Sequence, residues 1–271
     1  MKWDKDYTGG WRIDLEDADA IRATASQIPP MAFTAPEQVD PRPFVKVEHQ
    51  ASVGSCQGHS LSTIVEHCYR IDSGGKDVQL SRAMAYRATQ LIDRIEGDRG
   101  STINGGVKLA KEKGVCTEDL WPYRNRYPRN PPRGVSWDEV YEDAEDYRIA
   151  KHSVMQSYAD VFAWLASGAG GVHIGIRWSL PSAGVVDSYR NSGGGHAVAL
   201  LGYTTRKDPD GRKYILLCNS WGTRWGNNGW CEVAPRAIEQ MLRARYTVMV
   251  GLTDLVGIEP RPIPVDYTDL I

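Results

Sequence analysis

No run of about 18 apolar residues occurs in the chain, so nothing in it reads as a transmembrane helix. The opening residues, Met1-Lys-Trp-Asp-Lys-Asp-Tyr7, lack the apolar stretch of a secretory leader. Neither sign of charge dominates: 32 lysines and arginines against 34 acidic residues leave a formal net charge of -2. That balance gives no electrostatic reason to expect nucleic acid or a membrane surface as a partner. Internal repeats and low-complexity tracts are absent. There is no Cys-x-x-Cys pair, and Cys56-Gln-Gly-His59 is only half of a zinc site, so no metal or other cofactor is expected. The five cysteines, Cys56, Cys68, Cys116, Cys218 and Cys231, are odd in number and scattered, which fits a reducing compartment better than a disulfide framework.

What is present is a chain of 271 residues, long enough for one large domain or two modest lobes around a shared cleft. Residues 1–35 read as an extension, with one short helix expected between Asp14 and Ala25. Prolines 36, 41 and 43 mark extended chain entering the fold over 36–50. From Ser55 the pattern turns helical: Leu61, Ile64, Val65 and Cys68 fall at i, i+3, i+4 and i+7. Further helices are expected over Ser81–Ile95 and Val107–Lys113, the latter closed by Gly114. The Arg- and Pro-rich stretch 121–137 is a long irregular connector. Asp138–Arg148 reads as solvated surface and Tyr147–Ala150 as a strand. After a short helix at Tyr158–Ala166, β-like runs occupy 172–176, 197–203, 214–219, 229–233 and 246–251. Helices first and strands second make an α+β order, with lobes expected at about 50–135 and 140–255 and an extended tail over 256–271.

The chemistry concentrates at Gln50-Ala-Ser-Val-Gly-Ser-Cys56. A cysteine at a helix start meets unpaired N–H groups and partial positive charge, which favour the thiolate. Gln50 is placed to donate a hydrogen bond to an oxyanion formed beside that sulfur. Gly193-Gly-Gly-His196 puts a histidine at the mouth of an apolar strand, and Ile215-Leu-Leu-Cys-Asn219-Ser-Trp221-Gly222 ends another in an amide and a tryptophan. Side by side, these strands would let Asn219 orient His196, the logic of nucleophile, base and orienter.

These residues resemble the papain-like cysteine peptidases. The resemblance rests on Gln50 six residues before Cys56, on Gly54-Ser55-Cys56, on His196-Ala-Val leading to Gly202-Tyr203, and on Asn219-Ser-Trp-Gly222 followed by Trp225-Gly226 and Gly229. The order Gln, Cys, His, Asn extends over about 170 residues, with the Cys–His separation in the usual range of roughly 130–150. Leu80-Ser-Arg82, Gly105–Cys116 and Trp121-Pro-Tyr123 look like the bacterial and phage-type branch. The resemblance implies a helical left lobe, a β-barrel-like right lobe and a cleft between them, within a peptidase domain of residues 36–271. It implies Cys56, His196, Asn219 and Gln50 as catalytic residues. It further implies Gly105 and Gly106 (after Asn104) as the glycine wall that pairs with substrate, Val107, Gly175 and Gly195 near the S2 pocket, and Trp221 and Trp225 as cover and primed-side wall.

The chain departs from that pattern in two places. Gln57, Gly58 and His59 stand where an aromatic run often follows the nucleophile; His59 is expected to be buried and bonded to backbone, and His173 to pack. Val53 and Ile103 occupy the positions of a disulfide found in secreted members, which adds to the expectation of a cytoplasmic protein. Only about 30 residues precede the fold, so a large helical inhibitory propeptide is not expected. The implied activity is hydrolysis of peptide bonds in a peptide or protein substrate. Two alternatives stay open: another acyl transfer on the same triad (amide hydrolysis, deconjugation or transpeptidation), or a pseudo-peptidase that binds without cutting.

Overall fold

The computed structural model describes residues 10–12, 25, 33–179 and 184–259. The expected helix between Asp14 and Ala25, and most of the C-terminal tail, lie outside the described residues. Helix α1 (Cys56–Asp72) is the axis of the molecule, and 13 of its 17 residues are buried. A surface helix would bury one stripe; this one is covered on almost every side because helices pack on one flank and a sheet on the other. Leu61, Ile64, Val65, Cys68 and Ile71 form the apolar stripe. Burial of a side chain such as Leu61 contributes about 1.5–3 kcal/mol.

On the left flank lie α2 (Arg82–Asp93) and α3 (Ile103–Glu112), each capped by a side chain: Ser81 accepts from the Met84 N–H and Thr102 from the Gly105 N–H. The Glu66 carboxylate on α1 receives the Arg82 guanidinium, with Nη2 to Oε2 at 2.7 Å, and fastens α1 to α2. Then come α4 (Trp137–Ala144), a short 3-10 turn (Glu145–Tyr147) and α5 (Tyr158–Ala166). The stretch read as solvated surface thus contains a helix, set by Ser136 and Glu139 in a reciprocal capping box. A sixth helix, α6 (Pro235–Arg243), begins on its proline.

The right flank is a seven-stranded sheet. Its members are β3 (Ile149–Val154), β4 (Val172–Arg177), β5 (Val185–Val186), β6 (Gly195–Lys207), β7 (Lys213–Cys218), β8 (Trp230–Val233) and β9 (Val248–Leu255). They run in the order β3-β9-β4-β6-β7-β8-β5, antiparallel throughout except for β5 on β8. The alternation of β6 divides the interior. Ala197, Ala199 and Leu201 face the core shared with α1, whereas Val198, Leu200 and Tyr203 face a second core beneath α5 and α6. Alanines at 197 and 199 leave room for the helix to lie close on the sheet. The architecture is therefore α+β in two lobes, with α1 at their junction.

A separate two-stranded pairing ties residues 11 and 12 to the helical lobe. Strand β1 (Trp11–Arg12) runs parallel to β2 (Ser101–Thr102), Trp11 opposite Ser101 and Arg12 opposite Thr102.

Candidate active site

Cys56 is the first residue of α1, and its side chain is fully buried. Ser55 does not spend its hydroxyl on capping that helix; Ser55 Oγ lies 2.8 Å from the Tyr123 hydroxyl. The helix N-terminus is thus left open toward the cleft, where its N–H groups favour negative charge. The Ala197 N–H points at Sγ from 3.3 Å. Gln50 is held on three sides: its N–H donates to Ser220 O, its Oε1 accepts from Ser220 Oγ at 2.6 Å, and its Nε2 donates to Val53 O at 2.9 Å. The amide has two N–H bonds, so one remains for an oxyanion.

His196 stands at the start of β6. Its Nε2 lies 2.7 Å from Asn219 Oδ1, and that oxygen also accepts the Ser220 N–H at 2.8 Å. A carbonyl oxygen only accepts, so His196 carries its proton on Nε2 and keeps the Nδ1 lone pair for a thiol proton. The strand register pairs Ala199 with Cys218, which brings Asn219, just beyond the end of β7, beside the imidazole. Trp221 stacks on the imidazole at 4.7 Å between centroids, and Trp178 meets its edge at 4.7 Å. Trp225 closes the cluster behind both tryptophans, 6.2 Å from Trp221 and 5.8 Å from Trp178. Trp178 is the participant that sequence reasoning missed. It follows the last residue of β4 with no motif around it, and only the pairing of β4 with β6 places it at His196.

Residues 35–249 match the family described as papain family cysteine protease. The chain belongs to that family. Among its relatives is an uncharacterised peptidase C1-like protein of Acanthamoeba polyphaga mimivirus, 23% identical over 249 residues, covering 82% of this chain and 75% of that one. Papain from Carica papaya is 29% identical over 215 residues, covering 73% of this chain; the chain spans about half of papain's own length, 54%. Among solved structures, Xylellain, a cysteine protease from Xylella fastidiosa, superposes with a TM-score of 0.71 at 23% identity, covering 94% of this chain and 99% of that one. The chain is a papain-family cysteine protease, with the fold that the resemblance implied.

Other residues are placed differently from the expectation. Asn104, Gly105 and Gly106 are not an edge beside the cleft; they form the first turn of α3, which begins at Ile103 rather than Val107. A Cβ at Gly105 would strike the Asp93 carboxylate, and one at Gly106 the Gln57 amide. These glycines serve packing, and Val107 is core. The backbone that pairs with residues 11 and 12 is Ser101–Thr102, just after Gly100. Gly100 has φ +76°, and a Cβ there would collide with Gly10. Gly175 faces the Trp11 indole, and Gly195 and Trp221 line the open groove of about 570 Å³.

Three residues near the nucleophile have structural partners. Gln57 accepts a bond from Ser101 Oγ at 2.8 Å, tying the start of α1 to β2. His59 donates from Nδ1 to Ser55 O at 3.0 Å, and His173 Nδ1 lies 2.8 Å from Ser60 Oγ. Burial lowers both imidazoles to about 3, so both are neutral. Val53 and Ile103 are buried, and all five cysteines are free thiols.

Gly10, Trp11 and Arg12 lie across the site. The Ser101 N–H donates to Gly10 O at 3.0 Å, and Arg12 Nε donates to Arg99 O. The Gly10 backbone also hydrogen-bonds the Cys56 sulfur. Trp11 is 1% exposed, its indole against Gly175 and Ile103. Under this cover the charged forms lose their water. Burial pushes the Cys56 thiol up to about 12 and His196 down to about 4, the latter only partly offset by Asn219. The pair is neutral in this arrangement.

Proposed function

We propose that this protease hydrolyses peptide bonds through Cys56, His196, Asn219 and Gln50, and that residues 10–12 hold it latent in the arrangement described. The observation that carries the first part is the His196–Asn219 bond of 2.7 Å beside the thiol. It fixes the imidazole in the tautomer that accepts the Cys56 proton. The thiolate then attacks the substrate carbonyl carbon. Its oxygen takes the electron pair, held by the Cys56 N–H and the spare Gln50 N–H. Collapse breaks the C–N bond, and His196 gives its proton to the departing amine. The thioester is hydrolysed when His196 deprotonates a water that attacks the acyl carbon and the thiolate leaves. Each proton is returned, so the chain's own residues complete the cycle.

The latent reading rests on where the Gly10 carbonyl goes. It accepts the Ser101 N–H of β2, while the Gln50 amide donates to Val53 O. A carbonyl so placed cannot become the oxyanion, and the segment blocks without being cut. The Trp11 indole lies against Gly175, which supports a large apolar side chain as the specificity element of the substrate. We further place the protein in the cytoplasm, because all five cysteines are free thiols. Cell fractionation tests the location.

A fluorogenic peptide library, offered to the Gly10→Ala chain with and without Cys56→Ala, tests the activity. Cleavage that requires Cys56 and favours a bulky apolar residue near the scissile bond is expected. Cleavage unaffected by Cys56→Ala would sink the mechanism. Ligated or transferred products in place of hydrolysis would favour the other acyl-transfer chemistries.

A further inference from the structure

The connector 121–134, Trp-Pro-Tyr-Arg-Asn-Arg-Tyr-Pro-Arg-Asn-Pro-Pro-Arg-Gly, takes no part in catalysis, yet it is firmly built. Trp121 is buried and meets Trp137 edge-on at 5.2 Å. The Tyr123 hydroxyl donates to Gln50 O at 2.8 Å and also touches Ser55, the neighbours of the catalytic sulfur. Tyr127 donates to Gln90 Oε1 at 2.9 Å, and Arg87 Nε donates to Arg129 O at 3.1 Å. Four prolines and tyrosine anchors cannot be explained by a need for slack.

Arg124, Arg126, Arg129 and Arg133 project from this pinned backbone, all exposed, and among the described residues none joins an ion pair. They rim a groove of about 430 Å³ whose walls are aromatic, proline and arginine, with no acidic residue. Four uncompensated cations gathered on a protein of net charge -2 make a local field opposite to that of the whole. Guanidinium groups pair bidentately with carboxylates, and proline and aromatic walls suit an extended backbone.

We infer that this groove is an exosite for an acidic polypeptide segment, carried by a substrate or partner protein. A nucleic acid fits less well, because the basic track stops at Arg133 and α4 follows at once with exposed Asp138, Glu139 and Glu142. A continuing phosphate chain would be repelled there, whereas a short acidic segment ends within the groove. The groove lies near the cleft: Tyr127 meets Tyr86 edge-on at 6.0 Å, and the Tyr86 hydroxyl bonds Asp98, which lines the active-site groove. A protein bound at both places would be tethered beside the nucleophile. The peptidase reading supplies the reason for a polypeptide partner, but binding itself does not depend on cleavage.

The test uses the full chain with Cys56→Ser. Fluorescence anisotropy is read for a labelled Glu-rich octapeptide, its Gln-rich counterpart, and a single-stranded oligonucleotide of equal charge. The Glu peptide is expected to bind and the Gln peptide not to. Replacing the four arginines with alanine should weaken binding about tenfold or more, and added salt should weaken it as well. The exposed positions should leave the melting temperature unchanged. If the fourfold variant misfolds, single Arg126→Glu and Arg129→Glu variants carry the same expectation with a smaller loss. No binding of the Glu peptide, equal binding by the folded variants, or tighter binding of the oligonucleotide would each overturn the proposal. Failure of cleavage in the active chain with the Glu peptide still bound would count against the peptidase mechanism alone.

Discussion

Gly10 lies so close to Cys56 that a methyl group on its Cα would stand 2.8 Å from Sγ. The same methyl would strike the Gly54 carbonyl, so only glycine seats the segment here. Gly10→Ala should lift the segment, and Trp11→Ala should remove its apolar anchor. Both variants are expected to turn over a fluorogenic peptide faster than the parent chain. Cys56 should also be alkylated by iodoacetamide at about pH 5.5, where an ordinary thiol is protonated, ahead of the other four cysteines. In the parent chain Cys56 should be slow. Equal rates in parent and variants would remove the latent reading.

Gln50 offers one amide N–H to the oxyanion while its other groups hold Val53 and Ser220. In the Gly10→Ala background, Gln50→Ala should lower kcat by about 10²–10³ with little change in KM. A loss of under about threefold would show that the oxyanion is held elsewhere.

Asn219 and Trp178 act on His196 from different sides: one fixes the tautomer, the other excludes water from the ring. Asn219→Ala should lower kcat at every pH. Trp178→Ala should also shift the acid limb of the rate profile upward, because a better-hydrated imidazole protonates more easily. Identical pH profiles for the two variants would contradict the division of roles.

The Glu66–Arg82 pair is sealed between α1 and α2, with the Arg82 side chain 1% exposed. Arg82→Ala leaves the Glu66 carboxylate buried without its partner and should cost about 3–5 kcal/mol of stability, read as a fall in denaturant midpoint. The double variant Glu66→Leu with Arg82→Met should lose less than Arg82→Ala alone, since no uncompensated charge remains. A double variant worse than the single would argue that the pair itself is strongly favourable.

His173 titrates near 3 in the folded chain because it is buried, against an ordinary value of 6.5. Below 6.5 the unfolded chain takes up a proton that the folded one refuses, so this group's contribution to stability falls as pH drops from about 6.5 toward 3. The slope approaches about 1.4 kcal/mol per pH unit. His173→Asn should flatten the denaturation midpoint against pH between 5 and 6.5, whatever its effect at pH 7. An unchanged slope would show that the imidazole is hydrated.

Much of this was legible from local pattern. The stripe from Leu61 to Cys68 announces α1, and the motifs around Gln50, Cys56, His196 and Asn219 carry chemistry that short spacing preserves. Two helices were missed although their local signals were present: Ser136 with Glu139 for α4, and Pro235 at the start of α6. Charge around the first hid it, and tertiary burial of Val140, Ile238 and Met241 supplies the stability of both. The Asn104-Gly105-Gly106 run misled because glycines suit either a substrate-facing edge or a tight helix contact. Asp93 and Gln57, distant in sequence, demand the second.

The sequence by itself determined the order of functional groups, the helical and strand halves, and the small residues at 197 and 199 that let α1 approach the sheet. Those depend on periodicity and on side-chain chemistry, which are properties of the chain. Only the tertiary structure decided that Asn219 meets His196 at 2.7 Å and that Trp178 covers the ring. It alone paired Ser101 and Thr102 with Trp11 and Arg12 and put Gly10 on Cys56. Those depend on strand register and on chain segments separated by tens of residues, where no local pattern specifies distance.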